Sequence, residues 1–191
     1  MNAYDFDNTI YRGDSTAHFI WYCVKRYPRV LPVLLSAAGA CVRYGTRRIT
    51  KTQFKQRLFA IFGKIPDMQS AVNTFWDGHI VNIKPWYLTV RRSDDLIISA
   101  SPEFLVAEAC RRLGIKSVVG SPVDRATGRY SGVNCDGAEK VNRFKTEFPN
   151  ETVEVFYSDS YNDLPMARIA RRAFFVKGER ISPWNMRSDK Y

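Results

Sequence analysis

The 191-residue chain is 45% hydrophobic and 25% charged, ordinary globular values that exclude a disordered or low-complexity protein. Its length suits one medium domain or a core with a smaller inserted module. Four scattered cysteines with no C-x-x-C pair exclude a zinc knuckle or disulfide framework and read as reduced thiols. The net charge of +10 is confined to one stretch: residues 15–66 hold ten basic residues and no Asp or Glu, while the other 19 basic residues balance the 19 acidic ones.

Residues 2–5 read as the end of a short strand entering the polar turn DFDNT. The first carboxylate stands so early that no signal or transit peptide is expected before it. Apolar and aromatic residues at helical spacing predict a helix over 15–27, stopped by Pro28. Further helices are expected over 30–44, from a cap at Thr50 or Thr52 to about 63, and over 67–79. The apolar run 30–42 holds 13 residues and a proline, short of the roughly 20 needed to cross a bilayer.

The pattern changes near residue 93. Strands are predicted at 95–99, 115–119, 152–157 and 173–176, helices at 102–113, 138–148 and 162–171, and a hairpin at 130–133. Alternating strands and helices imply an α/β fold, a three-layer Rossmann-like parallel sheet with helices on both faces. The first strand must join that sheet, so the helical block is an insertion. Residues 1–13 and 93–191 form the core, and 14–92 an all-helical cap.

Three polar clusters follow strands: DFDNT at 5–9, ISAS at 98–101 and SDSYND at 158–163. Ligands in open α/β sheets bind beyond the carboxyl ends of strands, so the three can converge. Asp5, Asp7, Asp159 and Asp163 would crowd one space and need a cation to stay ionised. Hard oxygen ligands without His or Cys suit Mg²⁺ rather than zinc. With Lys140 and the Ser99 hydroxyl added, the set reads as a phosphoryl-transfer site. Ser101, immediately before Pro102, is assigned to capping the next helix, and His18 and His79 have no evident partner.

DFDNT resembles the D-x-D-x-T signature of the haloacid dehalogenase superfamily. Ser99, Lys140 and SDSYNDLPM resemble its second, third and fourth motifs in order, with the helical block in the position of that superfamily's cap. The resemblance implies that Asp5 is the nucleophile forming an aspartyl-phosphate and that Asp7 is the general acid and base. It further implies Mg²⁺ on the Asp5 carboxylate, the Asp7 backbone carbonyl and Asp159, phosphate on Ser99 and Lys140, and support from Thr9, Asn162 and Asp163. The second acid, Asp7, points to a phosphatase. Ser158 stands where relatives usually carry glycine.

The cap resembles that of phosphoserine phosphatases, with Asp14 at the position of a substrate-binding glutamate and Arg57 at that of an arginine. WYCVKRYP from Trp21, ISASPEFLV and YSDSYNDLP also resemble a branch acting on phosphatidylglycerophosphate. The expected substrate is therefore a phosphorylated small molecule or lipid head group. The expected location is cytoplasmic, with the basic cap either touching the inner face of an anionic membrane or steering anionic substrates. A phosphotransferase or phosphomutase would use the same residues. A non-catalytic basic protein binding nucleic acid is disfavoured, because no nucleic-acid motif is present. No obligate protein partner is evident.

Overall fold

The computed structural model describes residues 1–185, with the side chains of all but Ala38, Cys41, Val42 and Lys51. The last six residues of the predicted core segment, and the Cys41 thiol, lie outside the described set. Six strands form one sheet: β1 (Asn2–Tyr4), β2 (Leu96–Pro102), β3 (Ser117–Ser121), β4 (Val155–Ser158), β5 (Arg172–Lys177) and β6 (Arg180–Pro183), in the order β3-β2-β1-β4-β5-β6. All neighbours are parallel except β5 and β6.

Successive side chains on a strand point to opposite faces, and this period of two builds two cores. Ala3, Leu96, Ile98, Val119 and Phe156 face α7 (Ala138–Glu147) and α8 (Leu164–Ile169) through Phe144, Met166 and Ala167. Tyr4 and Ile97 face the other way, toward Leu105, Val106 and Ala109 of α6 (Glu103–Leu113) and Tyr87 of α5 (Pro85–Val90). The result is the expected three-layer α/β sandwich. Gly114 ends α6 at φ +73°, a left-handed stop that glycine adopts without strain.

Between β1 and β2 the chain makes α1 (Ser15–Arg26), α2 (Leu31–Gly45), α3 (Lys51–Phe59), α4 (Met68–His79) and α5. Four of the five starts have a local cause. Asp14 caps α1, Asp67 caps α4, Pro85 opens α5, and Thr50 with Gln53 forms a capping box on α3. The insertion is not uniform. Helix α4 is bound to the core, with Trp76 Nε1 donating to the Leu105 carbonyl and Arg112 reaching Asp77 and the Asn73 carbonyl. Tyr87 packs edge-on to Tyr4 of the central strand. Residues 68–90 thus belong physically to the layer covering the sheet, although the sequence pattern assigns them to a cap.

Two predicted elements change. The 130–133 hairpin is a loop, with an isolated bridge between Val123 and Tyr130. The 162–171 helix is shorter, a 3-10 turn at Tyr161–Asp163 followed by α8, because Pro165 sits in the first helical turn. Helix α5 and the antiparallel edge strand β6 had no predicted counterpart. Cys23, Cys110 and Cys135 are buried free thiols. No helix among the described residues is long and apolar enough to cross a membrane.

Candidate active site

The chain runs outward along β1, β2 and β3 on one side of the sheet, then returns through α7 to place β4 on β1's other side. This is a topological switch point, and the predicted polar clusters meet at its carboxyl end. A pocket of about 150 Å³ is lined by Asp5, Asp7, Asn8, Asp14, Lys55, Ser99, Ser101, Lys140, Asp159 and Asp163, among others.

Asp5 ends β1, where its N–H donates to the Tyr157 carbonyl at 2.9 Å and fixes the backbone against β4. Lys140, fully buried on α7, donates to Asp5 Oδ1 and to Asp163 Oδ2 at 2.7 Å each. Gly137 makes this approach possible. It begins α7 at φ +59°, and a side chain there would press on the Asn162 carbonyl at 3.3 Å. Lys145, the alternative cation on the same helix, is exposed. Ser158, in place of glycine, donates to Asp163 Oδ2 at 2.7 Å and accepts the Ser160 N–H, so the substituted side chain has become part of the network. Thr9 donates to Asp5 Oδ2 at 3.1 Å and accepts the Asp159 N–H at 3.0 Å, tying the first motif to the last.

Asp7 is held separately. Its Oδ1 accepts the Ser15 N–H at 2.6 Å, at the amino terminus of α1, and its Oδ2 accepts the Ser101 hydroxyl in a short hydrogen bond. Ser101 in turn accepts from Thr16 Oγ1 at 2.7 Å. The capping role assigned to Ser101 is therefore corrected. It is still within β2, α6 has no side-chain cap, and Ser101 orients Asp7. Ser99 Oγ accepts the Ser101 N–H at 3.1 Å, leaving its own O–H for a ligand.

Burial dominates the electrostatics. It pushes Asp5 up to about 7; Lys140 pulls against that shift and Asp163 adds to it. Burial followed by Asp14 raises Asp7, and burial followed by Asp163 raises Asp159. Lys140 would be lowered by burial alone, but Asp163 and Asp5 hold it above its ordinary value. The chemistry of the donor set fits a hard divalent cation, because carboxylates this destabilised gain from a neutralising charge. Among the described residues no three His, Cys, Asp or Glu side chains are already gathered at metal-binding spacing. A backbone carbonyl and water would have to complete any shell.

Two predicted residues are not brought in. Arg57 is exposed on α3 and lies outside the pocket lining, whereas Lys55, two residues earlier, lines it and donates to the Ala100 carbonyl at 3.0 Å. Asn162 is exposed, with its backbone N–H on Ser160 Oγ. Asp14 is at the pocket and also caps α1.

Two contributors had weak signals or none. Ser101 was visible as the second serine of ISAS. Lys84 was not: it is buried and donates to the Asn8 carbonyl, in a short bond, and to the Gly178 carbonyl at 2.6 Å. This stitches the left-handed Asn8 turn (φ +56°) to the β5–β6 turn. His18, read as unpartnered, is hydrogen-bonded through Nδ1 to the Tyr11 hydroxyl at 2.7 Å.

The sequence matches the family of haloacid dehalogenase-like hydrolases across residues 3–168, nearly the whole chain. The chain belongs to that family. The hydrolase is 27% identical to phosphoserine phosphatase SerB1 of Mycobacterium tuberculosis H37Rv over 91% of this chain and 63% of that protein. It is 32% identical to a histidinol-phosphatase of Neisseria meningitidis over 88 residues, 40% of each chain. The hydrolase thus spans less than two thirds of either relative. A solved structure from Bordetella pertussis Tohama I, described as a protein with unknown function, shares the fold at a TM-score of 0.74. It is 18% identical, covering 91% of this chain and 87% of that one.

Proposed function

We propose that this hydrolase is a phosphomonoesterase that uses Asp5 as a covalent nucleophile. One observation carries the proposal: the buried Lys140 ammonium joins Asp5 to Asp163 at 2.7 Å on each side. It offsets part of the penalty that burial puts on the Asp5 carboxylate, and it leaves positive charge where a phosphoryl group must sit.

In the first step an Asp5 oxygen bonds to phosphorus, the ester P–O bond breaks, and the leaving oxygen takes the proton of Asp7. The raised pKa of Asp7 suits it to carry that proton. In the second step water attacks the aspartyl-phosphate, gives its proton back to Asp7 and frees inorganic phosphate and the Asp5 carboxylate. Ser99 O–H and Lys140 bind phosphoryl oxygens, and Thr9, Asp163 and Ser158 hold the two loops in register. Mg²⁺, held by Asp5, the Asp7 carbonyl and Asp159, would supply neutralisation of the phosphate charge.

The substrate is a small phosphate ester or a lipid phosphate such as phosphatidylglycerophosphate. Phosphoserine would meet Asp14 and Lys55 at the pocket, rather than Asp14 and Arg57. A peripheral membrane contact is favoured by one stretch of the chain. Trp21 is 59% and Leu35 74% exposed, with Lys25 over the Trp21 ring and exposed Arg26 and Arg29 between them in sequence.

The test is release of inorganic phosphate from phosphoserine, sugar phosphates and phosphatidylglycerophosphate in anionic micelles, with Mg²⁺ or with chelator. Magnesium-dependent release is expected, and release that survives chelation removes the metal from the scheme. Transfer of phosphate to an added alcohol instead of water would make the protein a phosphotransferase. No release from any ester would remove the hydrolytic assignment.

A further inference from the structure

A second pocket, of about 260 Å³, opens beside the first. Its walls are Thr16, Ala17 and Ile20 of α1, Phe54, Leu58 and Phe59 of α3, and Tyr44 near the end of α2. Asp14 and Lys55 line both pockets, so the apolar space begins where the polar one ends. The apolar walls are organised: Phe54 stacks on Tyr44 at 5.1 Å, and Phe59 stacks on Phe62 at 5.2 Å.

The position of Asp7 decides what such a space is for. The group that protonates a leaving oxygen must stand on the leaving group's side of the phosphorus. Asp7 is fastened to Ser15 N and Ser101 Oγ, on the α1 side, with Asp14 as its principal charged neighbour. A larger pocket, lined by Asn8, Asp159, Tyr161, Lys177 and Arg180, touches the site from the Asp159 side. The leaving oxygen therefore departs toward Asp14 and Lys55, and the first space beyond them is apolar.

We infer that the pocket between α1 and α3 is the leaving-group subsite, and that it selects phosphate monoesters carrying a linear apolar segment within a few bonds of the phosphate. This rests on the hydrolytic function proposed above. The loop after β3 braces the pocket. Gln56 Nε2 donates to the Gly128 carbonyl and Gln56 Oε1 accepts the Tyr130 N–H, both at 3.0 Å, which holds α3 beside its lining residues.

The test uses n-alkyl phosphates from ethyl to octyl, kept below micelle-forming concentration so that no surface effect enters. For the wild-type chain, kcat/KM should rise roughly threefold to fourfold per methylene until the pocket is full, as expected for methylene burial. Ala17→Phe, which fills the pocket from α1, should flatten that rise, as should Leu58→Gln, which makes its wall polar. Each variant's octyl-to-ethyl ratio is internal to that variant, and circular dichroism checks its folding. A flat wild-type series with clear ethyl phosphate turnover would overturn the subsite while leaving the phosphatase intact. A rise that persists unchanged in both folded variants would overturn it as well. No release from any ester would overturn the hydrolytic function, and the subsite with it.

Discussion

On one side of the site Asp5, Lys140, Asp163 and Ser158 are buried, and each is bonded to the next across four different segments. On the other side stand Asp14 and Lys55, on helices whose outer residues are exposed and which reach the core through hydrogen bonds from Ser15, Thr16, Lys55 and Gln56, none of them between buried charges. The first side cannot move without leaving a buried charge unpaired, which is expensive. The second can shift or be rebuilt at far smaller cost. On the proposed reading, the nucleophile and its charge network stand in the rigid half and substrate choice in the adaptable half, with Asp7 at the seam between them.

The sharpest way to break this comparison is Asp5→Asn. It should lower kcat by about ten-thousand-fold or more while the fold is retained, as loss of a nucleophile does. Phosphate release and circular dichroism on the same sample check both halves of that expectation. Next comes Lys140→Met, which strands two buried carboxylates. A loss of roughly 3–5 kcal/mol is expected in urea denaturation, the cost of breaking a buried pair from one end. A loss below about 1 kcal/mol, the range of exposed pairs, would show that the network is not the rigid half.

A smaller effect is expected on the adaptable side. Gly128 has φ +72°, and a Cβ there would lie 1.8 Å from the Phe59 carbonyl oxygen. Gly128→Ala should cost about 1–3 kcal/mol, in the range of backbone strain at such positions. It should also raise KM for octyl phosphate more than for ethyl phosphate, because it displaces α3 and not Asp5.

The smallest effect marks where the insertion becomes core. Hydrogen bonds from Arg111, and then Arg112, hold Glu108 near 2, against an ordinary 4.5. A carboxylate depressed in the folded state contributes stability above its unfolded pKa and loses it as pH falls through the folded one. The Tm difference between the wild type and Glu108→Gln should therefore be constant above pH 4.5 and vanish as pH approaches about 2. A difference that grew on acidification would reverse that sign.

The rigid half was the legible half. Asp5, Asp7, Asp159 and Asp163 sit in short motifs directly after strands, and the alternation of strands with helices placed those strands in one sheet. Thr50 announced a helix start because capping is a local interaction. Arg57 was matched by motif position alone, and a turn of α3 puts Lys55 at the pocket instead. Lys84 bonds to Asn8 and Gly178, contacts between segments far apart in sequence that no local pattern encodes. The hairpin at 130–133 failed for a related reason. Its polar groups bond to Gln56 of α3 and to the loop itself, so no strand ladder was needed.

The central position of β1 carries a consequence for assembly during synthesis. Ala3 lies between Leu96 and Phe156, so β1 emerges from the ribosome and waits for partners made much later. Until then its backbone donors and acceptors have no neighbour, and the helices that follow must fold without the sheet they will cover. Contacts this distant in sequence slow folding and expose apolar surface meanwhile. The Asp5 carboxylate next to that strand is consequently made long before the segments that lock it into place.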